Sequence, residues 1–382
     1  MIDTAIIGAG ASGLAAAIGI RNQGAGGRGS ERIVLFERLP RAGKKILATG
    51  NGRCNAGNAH VLDHNYHNRA FALPALEQFD IREFFRSLGL LLREDSEGRL
   101  YPRSNTASSV LDALRFGAMR TGIVFRCDVP ILKIQPAKEG FLLNGNIAAR
   151  RVIIAAGGCA APAQGSDGSG FSLLKQLGYT IVEPRPALAP LRCNSPQLPM
   201  LKGLRCHAMI SIEQSGSILS KAEGEVLFTE DGISGIAAME VSRWAVPGSM
   251  AVLDLLPEFS LEQTRALLAE LARACPEQPL AGILPKRIAE AVMRSSEGNL
   301  AATLKRFVFP VTGTRGFAQA QVTAGGADVA QFGPETLESR LHKNLYACGE
   351  VLDVDGGCGG FNLHWAFASG LLAGKAIERR SI

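Results

Sequence analysis

The chain has 382 residues, 46% of them hydrophobic, and a formal net charge of +6. That apolar content supports a sizeable buried core in two or three domains and excludes the disordered and fibrous classes. Lysines and arginines are dispersed with no block of five or more, so the charge marks no nucleic-acid surface, and no apolar run reaches the roughly 18 residues of a membrane span.

Glycine is frequent, at 44 residues, which implies many tight turns and close backbone approaches. Eight cysteines, at 54, 127, 159, 193, 206, 275, 348 and 358, include no C-x-x-C pair. Neither a zinc knuckle nor a thioredoxin-like redox pair is signalled, and reduced thiols in a cytoplasm are expected. The opening MIDTAIIGAG runs straight into a strand with no basic leader, which points to a soluble, cytoplasmic protein.

The first element is a short apolar strand at Ala5, Ile6 and Ile7, followed by an alanine-rich helical pattern from Ala11 to Gln23. Between them Gly8, Gly10 and Gly13 form G-x-G-x-x-G. Gly8 allows the tight turn, Gly10 the approach of a pyrophosphate, and Gly13 the packing of helix on strand. A second apolar strand, Ile33 to Phe36, ends at Glu37, placed to bond ribose hydroxyls. The loop at 24–30 absorbs the slightly long spacing. This is a dinucleotide site, and the acid argues against a 2′-phosphate.

Next comes RLPRAGKKILATGNGRCNAGN, with too many glycines for a good helix and too little patterning for a strand. It is expected to cover the ligand as extended backbone, as a tightly held FAD requires and NAD does not. His60, His64 and His67 follow with i, i+4, i+7 spacing, but the segment is loop-like and no metal site is expected. Another apolar strand, Arg151 to Ile154, ends in Gly157 and Gly158, and GSDGSG at 165–170 then leads into the helix FSLLKQLG. That glycine segment lacks a second full fingerprint, so one bound dinucleotide is implied.

From about Leu188 to Val322 the pattern changes to short strands, as in HAMISIEQSGSILS and GEVLFT. A helical module interrupts them. It opens with a capping box at Ser260, carries Leu267, Leu268, Leu271 and Ala274 on one face, and continues in a helix after Pro285. A small barrel with an inserted helical subdomain is expected, with strands as late as FAQAQVT and a small-molecule substrate lodged against the cofactor. No acid or base stands out: Tyr101, Arg103, His364, Cys159 and Cys358 are each explained as well by packing or turns.

The segments IIGAGASGLAAA, GKKILATGNGRCNAGN, GEVLFTEDGISGIAAMEVSR, AQVTAGGADV and GEVLDVDGGCGGFNLHWAFASG together resemble the HI0933-like or BaiN-like flavoproteins, also called the aminoacetone oxidase family. The resemblance runs over nearly the whole chain, and the GRCN and GEVLDVDG segments are its most specific markers. It implies an α/β fold: a discontinuous glutathione-reductase-type Rossmann domain for FAD, with an inserted β-barrel that carries a small helical subdomain. The expected divisions are residues 1–187 and 323–382 for FAD, 188–259 and 307–322 for the barrel, and 260–306 for the helices.

The resemblance also implies the cofactor contacts. Gly8, Gly10, Ala11, Ser12 and Gly13 would hold the pyrophosphate, Glu37 and Arg38 the adenosine side, and Val129 the adenine through its backbone. Lys45, Thr49, Gly50, Arg53, Cys54 and Asn55 would pass along the ribityl chain and isoalloxazine, with Ala156 and Gly157 at the sheet edge. Gly349 and Glu350 sit where related flavoproteins place an Asp against the ribityl chain, so that Glu350 and Asp353 are both candidates for this contact. Gly359, Gly360, Phe361 and Asn362 would present the unpaired N–H groups of a helix start to the pyrimidine edge of the flavin, where negative charge appears on reduction.

The function implied is an FAD-dependent oxidoreductase, driven by NAD(P)H and reducing an activated C=C bond. The alternatives are an amine or aminoketone oxidase using oxygen, an RNA-directed flavoprotein such as a tRNA-modifying methyltransferase, and a non-enzymatic flavin binder. No membrane or nucleic-acid partner is expected, and the sequence leaves open the substrate, the choice of NADH or NADPH and the oligomeric state.

Overall fold

The computed structural model describes residues 1–20, 32–63 and 66–379. The helix end expected at 21–23, the loop at 24–30 and His64 lie outside the described residues. Two compact units are present: Met1–Arg185 with Val322–Ile382, and Pro186–Gln321.

The first unit is built on a parallel sheet. Ile2–Ile7 lies between Ile33–Phe36 and Ile147–Ile154, with Ile6 opposite both Leu35 and Ile153. Val124–Arg126 extends the sheet beyond Ile33–Phe36, and Leu345–Ala347 pairs with the end of Ile147–Ile154. An antiparallel hairpin, Ile134–Ala137 and Gly140–Leu143, uses the beginning of that same strand. The central strands read as near-continuous Val, Ile and Leu because both faces are covered; all four residues of Ile33–Phe36 are buried.

On this sheet the helix Ala11–Gly19 meets the helix Phe361–Arg379 at very close range. Small residues make the approach possible. A Cβ on Gly370 would lie 2.2 Å from the Ser12 carbonyl oxygen, and one on Gly374 would lie 2.3 Å from that of Ala16. Trp365 and Phe367 are fully buried beneath the second helix.

The segment after Glu37 is not the extended cover that its composition suggests. Gly43 takes a left-handed φ of 74° and launches a helix, Lys44–Ala48, whose Ile46 is buried; Gly50 and Asn51, both left-handed, then turn the chain. The glycines interrupt a helix without preventing one, because they stand at its ends and not inside it.

The second unit holds a closed antiparallel barrel in the order Leu191–Cys193, Gly232–Ser234, Ser217–Phe228, Arg205–Gln214, Met250–Asp254 and Phe307–Thr314. Leu191 opposite Thr314 closes the ring. Phe228 and Phe309, with ring centroids 5.7 Å apart, fill its core. Three helices follow the fifth strand: Leu261–Ala274, Lys286–Ser295 and Leu300–Lys305.

The Ser260 capping box is present, with both its hydrogen bonds made. Its helix is shallowly seated: Thr264 is buried, Leu267, Leu268 and Leu271 are half-buried, and Ala274 is exposed. The barrel does not recover a strand at FAQAQVT. Residues 317–321 turn instead, and Val322–Ala327 pairs with Ile181–Ala187 in a separate two-stranded sheet.

Candidate functional site

At the carboxyl edge of the parallel sheet the three glycines of the fingerprint meet three different demands. Gly8 has φ 105°, and a Cβ there would lie 2.4 Å from the Ala155 carbonyl oxygen; one on Gly13 would lie 1.9 Å from the oxygen of Gly8. These two are backbone contacts of strand, turn and helix. A Cβ on Gly10 would meet nothing within 4 Å, so this glycine faces open space at the start of the helix. The amides of Ala11, Ser12 and Gly13 precede the first intrahelical bond, from Leu14 N–H to the Gly10 oxygen, and remain available to an anion.

Glu37 is anchored across the turn. Its Oε2 accepts from the Ala9 amide at 3.0 Å and its Oε1 from that of Leu39 at 2.9 Å. The Val129 amide donates to the Glu37 carbonyl oxygen at 3.0 Å. Arg38 is drawn away into an ion pair with Asp167 of the GSDGSG loop.

A second group forms around Glu350. Lys45 Nζ donates to its Oε2 at 2.9 Å, and the Thr323 amide donates to its Oε1 at 2.9 Å. Thr323 Oγ1 in turn accepts from the amides of Cys159 and Ala160 at 2.8 and 3.0 Å. Gly158 must be glycine for this assembly, since a Cβ would stand 2.4 Å from Thr323 Oγ1 and 2.8 Å from Glu350 Oε1. Nearby, Gly157 has φ 73°, and Ala156 packs under Gly8. Gly349, with φ 77°, donates its amide to Ser369 Oγ and lies over Ser12.

The GRCN turn brings a third group. Thr49 Oγ1 donates to the Ile46 carbonyl oxygen at 2.6 Å. Burial pushes the Cys54 thiol up to about 11, with the Thr49 hydrogen bond offsetting only part of the effect, so this thiol is inert packing. Gly50, φ 56°, abuts Asn55, and the Arg53 guanidinium lies 5.0 Å from the centroid of the Tyr101 ring. Asn55 Oδ1 is buried without a hydrogen-bond partner, and a Cβ on Gly360 would stand 2.6 Å from it. Gly360 and Gly359 carry φ of 95° and 122°, conformations that other residues rarely adopt.

Asp353 and Asn362 bond to other groups than Lys45 does. Asp353 faces His67 and Asn68. The Asn362 side chain is spent within its own loop, on the Gly356 amide and on the carbonyl oxygens of Gly356 and Gly357. Phe361 lies edge-on to Tyr66, whose hydroxyl donates to the Phe361 carbonyl oxygen at 2.8 Å.

Sequence reasoning passed over Thr323, although it lies in AQVTAGGADV, and over the pairing of His67 with Asp353, 286 positions apart. No spacing rule reaches across such a separation. Among the described residues no group of three His, Cys, Asp or Glu side chains could hold a metal, and no two cysteines form a disulfide. His364 is a packed histidine, 2% exposed and set edge-on to Phe79 at 5.4 Å.

A glycine turn with an anchored acid on a parallel sheet, in one chain with a closed antiparallel barrel, is a Rossmann-type nucleotide fold, and the family this chain falls in makes it an oxidoreductase of the FAD-dependent class. The chain belongs to the HI0933-like family: the family model described as HI0933-like protein Rossmann domain matches residues 2–376. It is 36% identical to the 3-dehydro-bile acid delta(4,6)-reductase of Clostridium scindens, over 98% of each chain. It is also 30% identical to the ribosomal RNA dihydrouridine synthase of Escherichia coli, over 96% of each. Among solved structures, 3-ketosteroid delta1-dehydrogenase from Sterolibacterium denitrificans superposes with a TM-score of 0.53 at 12% identity, covering 99% of both chains, a likeness of fold.

Proposed function

We propose that this protein binds one FAD along the edge just described and reduces a C=C bond conjugated to a carbonyl, with NAD(P)H as the source of electrons. The observation that carries this reading is the end-to-end similarity to a delta(4,6)-reductase, whose name specifies reduction of such a bond. When bound, the flavin supplies hydride transfer.

The residues fit that cofactor. The open face of Gly10 and the free amides of Ala11, Ser12 and Gly13 suit its pyrophosphate, with Gly8 shaping the turn. Glu37 suits the adenosine ribose and the Val129 carbonyl the adenine, while Arg38 stabilises the GSDGSG loop instead of touching the ligand. Lys45 and Glu350 suit the ribityl hydroxyls, with Thr49, Gly50, Arg53, Cys54, Asn55, Ala156, Gly157 and Gly349 forming the walls. The unpartnered Asn55 Oδ1 suits a ring N–H of the isoalloxazine. Gly359, Gly360, Phe361 and Asn362 set the start of the last helix, whose amides would stabilise negative charge on a bound, reduced flavin ring.

An RNA-directed reading is favoured by one observation, the similarity to a ribosomal RNA dihydrouridine synthase. Dihydrouridine is uridine with its ring C=C saturated, so the two readings share a reaction class and differ in the size of the substrate. The small-molecule reading ranks first because the identity is higher and the basic residues are dispersed.

The test is the visible spectrum of the purified protein, followed anaerobically as NADH or NADPH is added. Bleaching within seconds by one of them supports the reductase. A flavin that stays oxidised points to an oxidase, and a protein that takes up no flavin defeats the reading.

A further inference from the structure

We infer that His67 is the proton donor of the reduction and that Asp353 is its positioning residue. This inference rests on the reductase reading above. Saturating a conjugated C=C bond takes a hydride at the β-carbon, from the reduced flavin, and a proton at the α-carbon. The π electrons of the bond form the new α-C–H bond with the donor's proton, and the donor recovers a proton from solvent.

His67 is held at two points by the segment around Asp353. Its Nε2 lies 3.2 Å from Asp353 Oδ2, and its amide donates to the Asp355 carbonyl oxygen at 2.9 Å. Asn68 Nδ2 holds the same residue twice, donating to the Asp353 backbone carbonyl oxygen at 2.6 Å and to its carboxylate Oδ2 at 3.1 Å. The histidine is thereby stitched to the run between Glu350 and Gly360, which borders the proposed flavin site. An Asp on Nε2 fixes that nitrogen as N–H and leaves Nδ1 as the working atom.

The carboxylate is buried while its partner is not. Asp353 is 4% exposed, and its Oδ1 has no hydrogen-bond partner, whereas the His67 side chain is 37% exposed and can exchange protons with water. An Asp buried this deeply with half its acceptors unused is costly unless it serves a charged partner.

The other nearby acids are poorer donors. Burial raises Tyr66 far above the usual tyrosine range, and its hydroxyl is committed to Phe361. Burial, and after it the charge of Glu350, raises the Cys159 thiol, and Lys45 is held by Glu350. Imidazole is the commonest general acid in enzymes, and His67, unlike these groups, is both held by a carboxylate and open to water.

Two measurements test the inference. In protein without flavin, long-range 15N–1H NMR should show neutral His67 protonated on Nε2, with Asp353→Leu erasing that bias; an Nδ1–H tautomer would overturn it. In flavin-loaded protein, stopped-flow compares the two half-reactions, with a 3-oxo-4-ene steroid and 2-cyclohexenone as probes. His67→Ala should slow reoxidation by the enone about 10²- to 10⁴-fold more than reduction by NAD(P)H, and added imidazole should restore part of the loss. A variant that slows neither half-reaction, or both equally without rescue, means a structural role only and sinks the inference. Parental protein that is reduced by NAD(P)H and passes its electrons to no enone would remove the reductase reading itself, and the donor with it.

Discussion

Gly10 and Gly13 stand three residues apart in one motif, yet their substitution should have opposite outcomes. With open space at its Cβ position and φ −81°, Gly10 accepts alanine in the folded protein, while the methyl occupies the space proposed for the pyrophosphate. Gly10→Ala should leave the melting temperature of flavin-free protein within about 2 °C of the parent and weaken FAD binding tenfold or more, read by flavin fluorescence titration. Gly13→Ala forces a carbon to 1.9 Å from a carbonyl oxygen, and should cost about 2 kcal/mol or more whether or not flavin is present. His364 gives a pH signature. Burial holds its pKa down to about 4, with the Asn58 backbone and the Asp80 charge offsetting part, against 6.5 in the unfolded chain. Between these values the unfolded state binds the extra proton, so stability is complete above pH 6.5 and falls as the pH drops toward 4, by about 3 kcal/mol. Urea unfolding of parent and His364→Leu at pH 7 and pH 5 checks the sign: the variant should lose much of this slope.

Among the elements, the pair Ala11–Gly19 and Phe361–Arg379 carries the most constraint. These helices touch through Gly370, Gly374 and Gly19, where backbone meets backbone, so side-chain repacking cannot relieve an added carbon. Gly374→Ala, a change that would favour an isolated helix, should instead destabilise the protein by about 2 kcal/mol in thermal or urea unfolding. The helix Leu261–Ala274 offers the opposite case. It lies mostly in solvent and depends on its cap, so Ser260→Ala should cost about 1 kcal/mol, seen as faster amide exchange in its first turn.

For the whole molecule, the family relationship narrows the chemistry more than the substrate. The net charge of +6 is modest and many exposed cations are paired, as Arg306 is with Glu213 and Arg205 with Glu225. Ribosomal RNA fragments should therefore bind only weakly at physiological salt, in filter-binding or anisotropy assays. Binding that is tight, and that weakens by 10³-fold or more between 50 and 200 mM salt, would be the mark of several phosphate contacts and would raise the RNA-directed reading above the small-molecule one.

The sequence by itself determined the nucleotide half of this protein, because its signals are local. Strand, glycine turn, helix and strand-end acid lie within some 37 residues, and each glycine's role follows from the backbone on either side of it. The short strands of the barrel and the capping box at Ser260 were legible for the same reason. Only the tertiary structure decided the rest. That Glu350 joins Lys45 while Asp353 turns to His67 depends on segments about 300 positions apart, and no periodicity encodes such a choice. Likewise, Val322–Ala327 and a barrel strand look alike in one dimension, since β-propensity specifies an extended chain and leaves its partner to packing. The short helix Lys44–Ala48 was hidden by the glycines around it, whose left-handed angles exist only where the fold requires them.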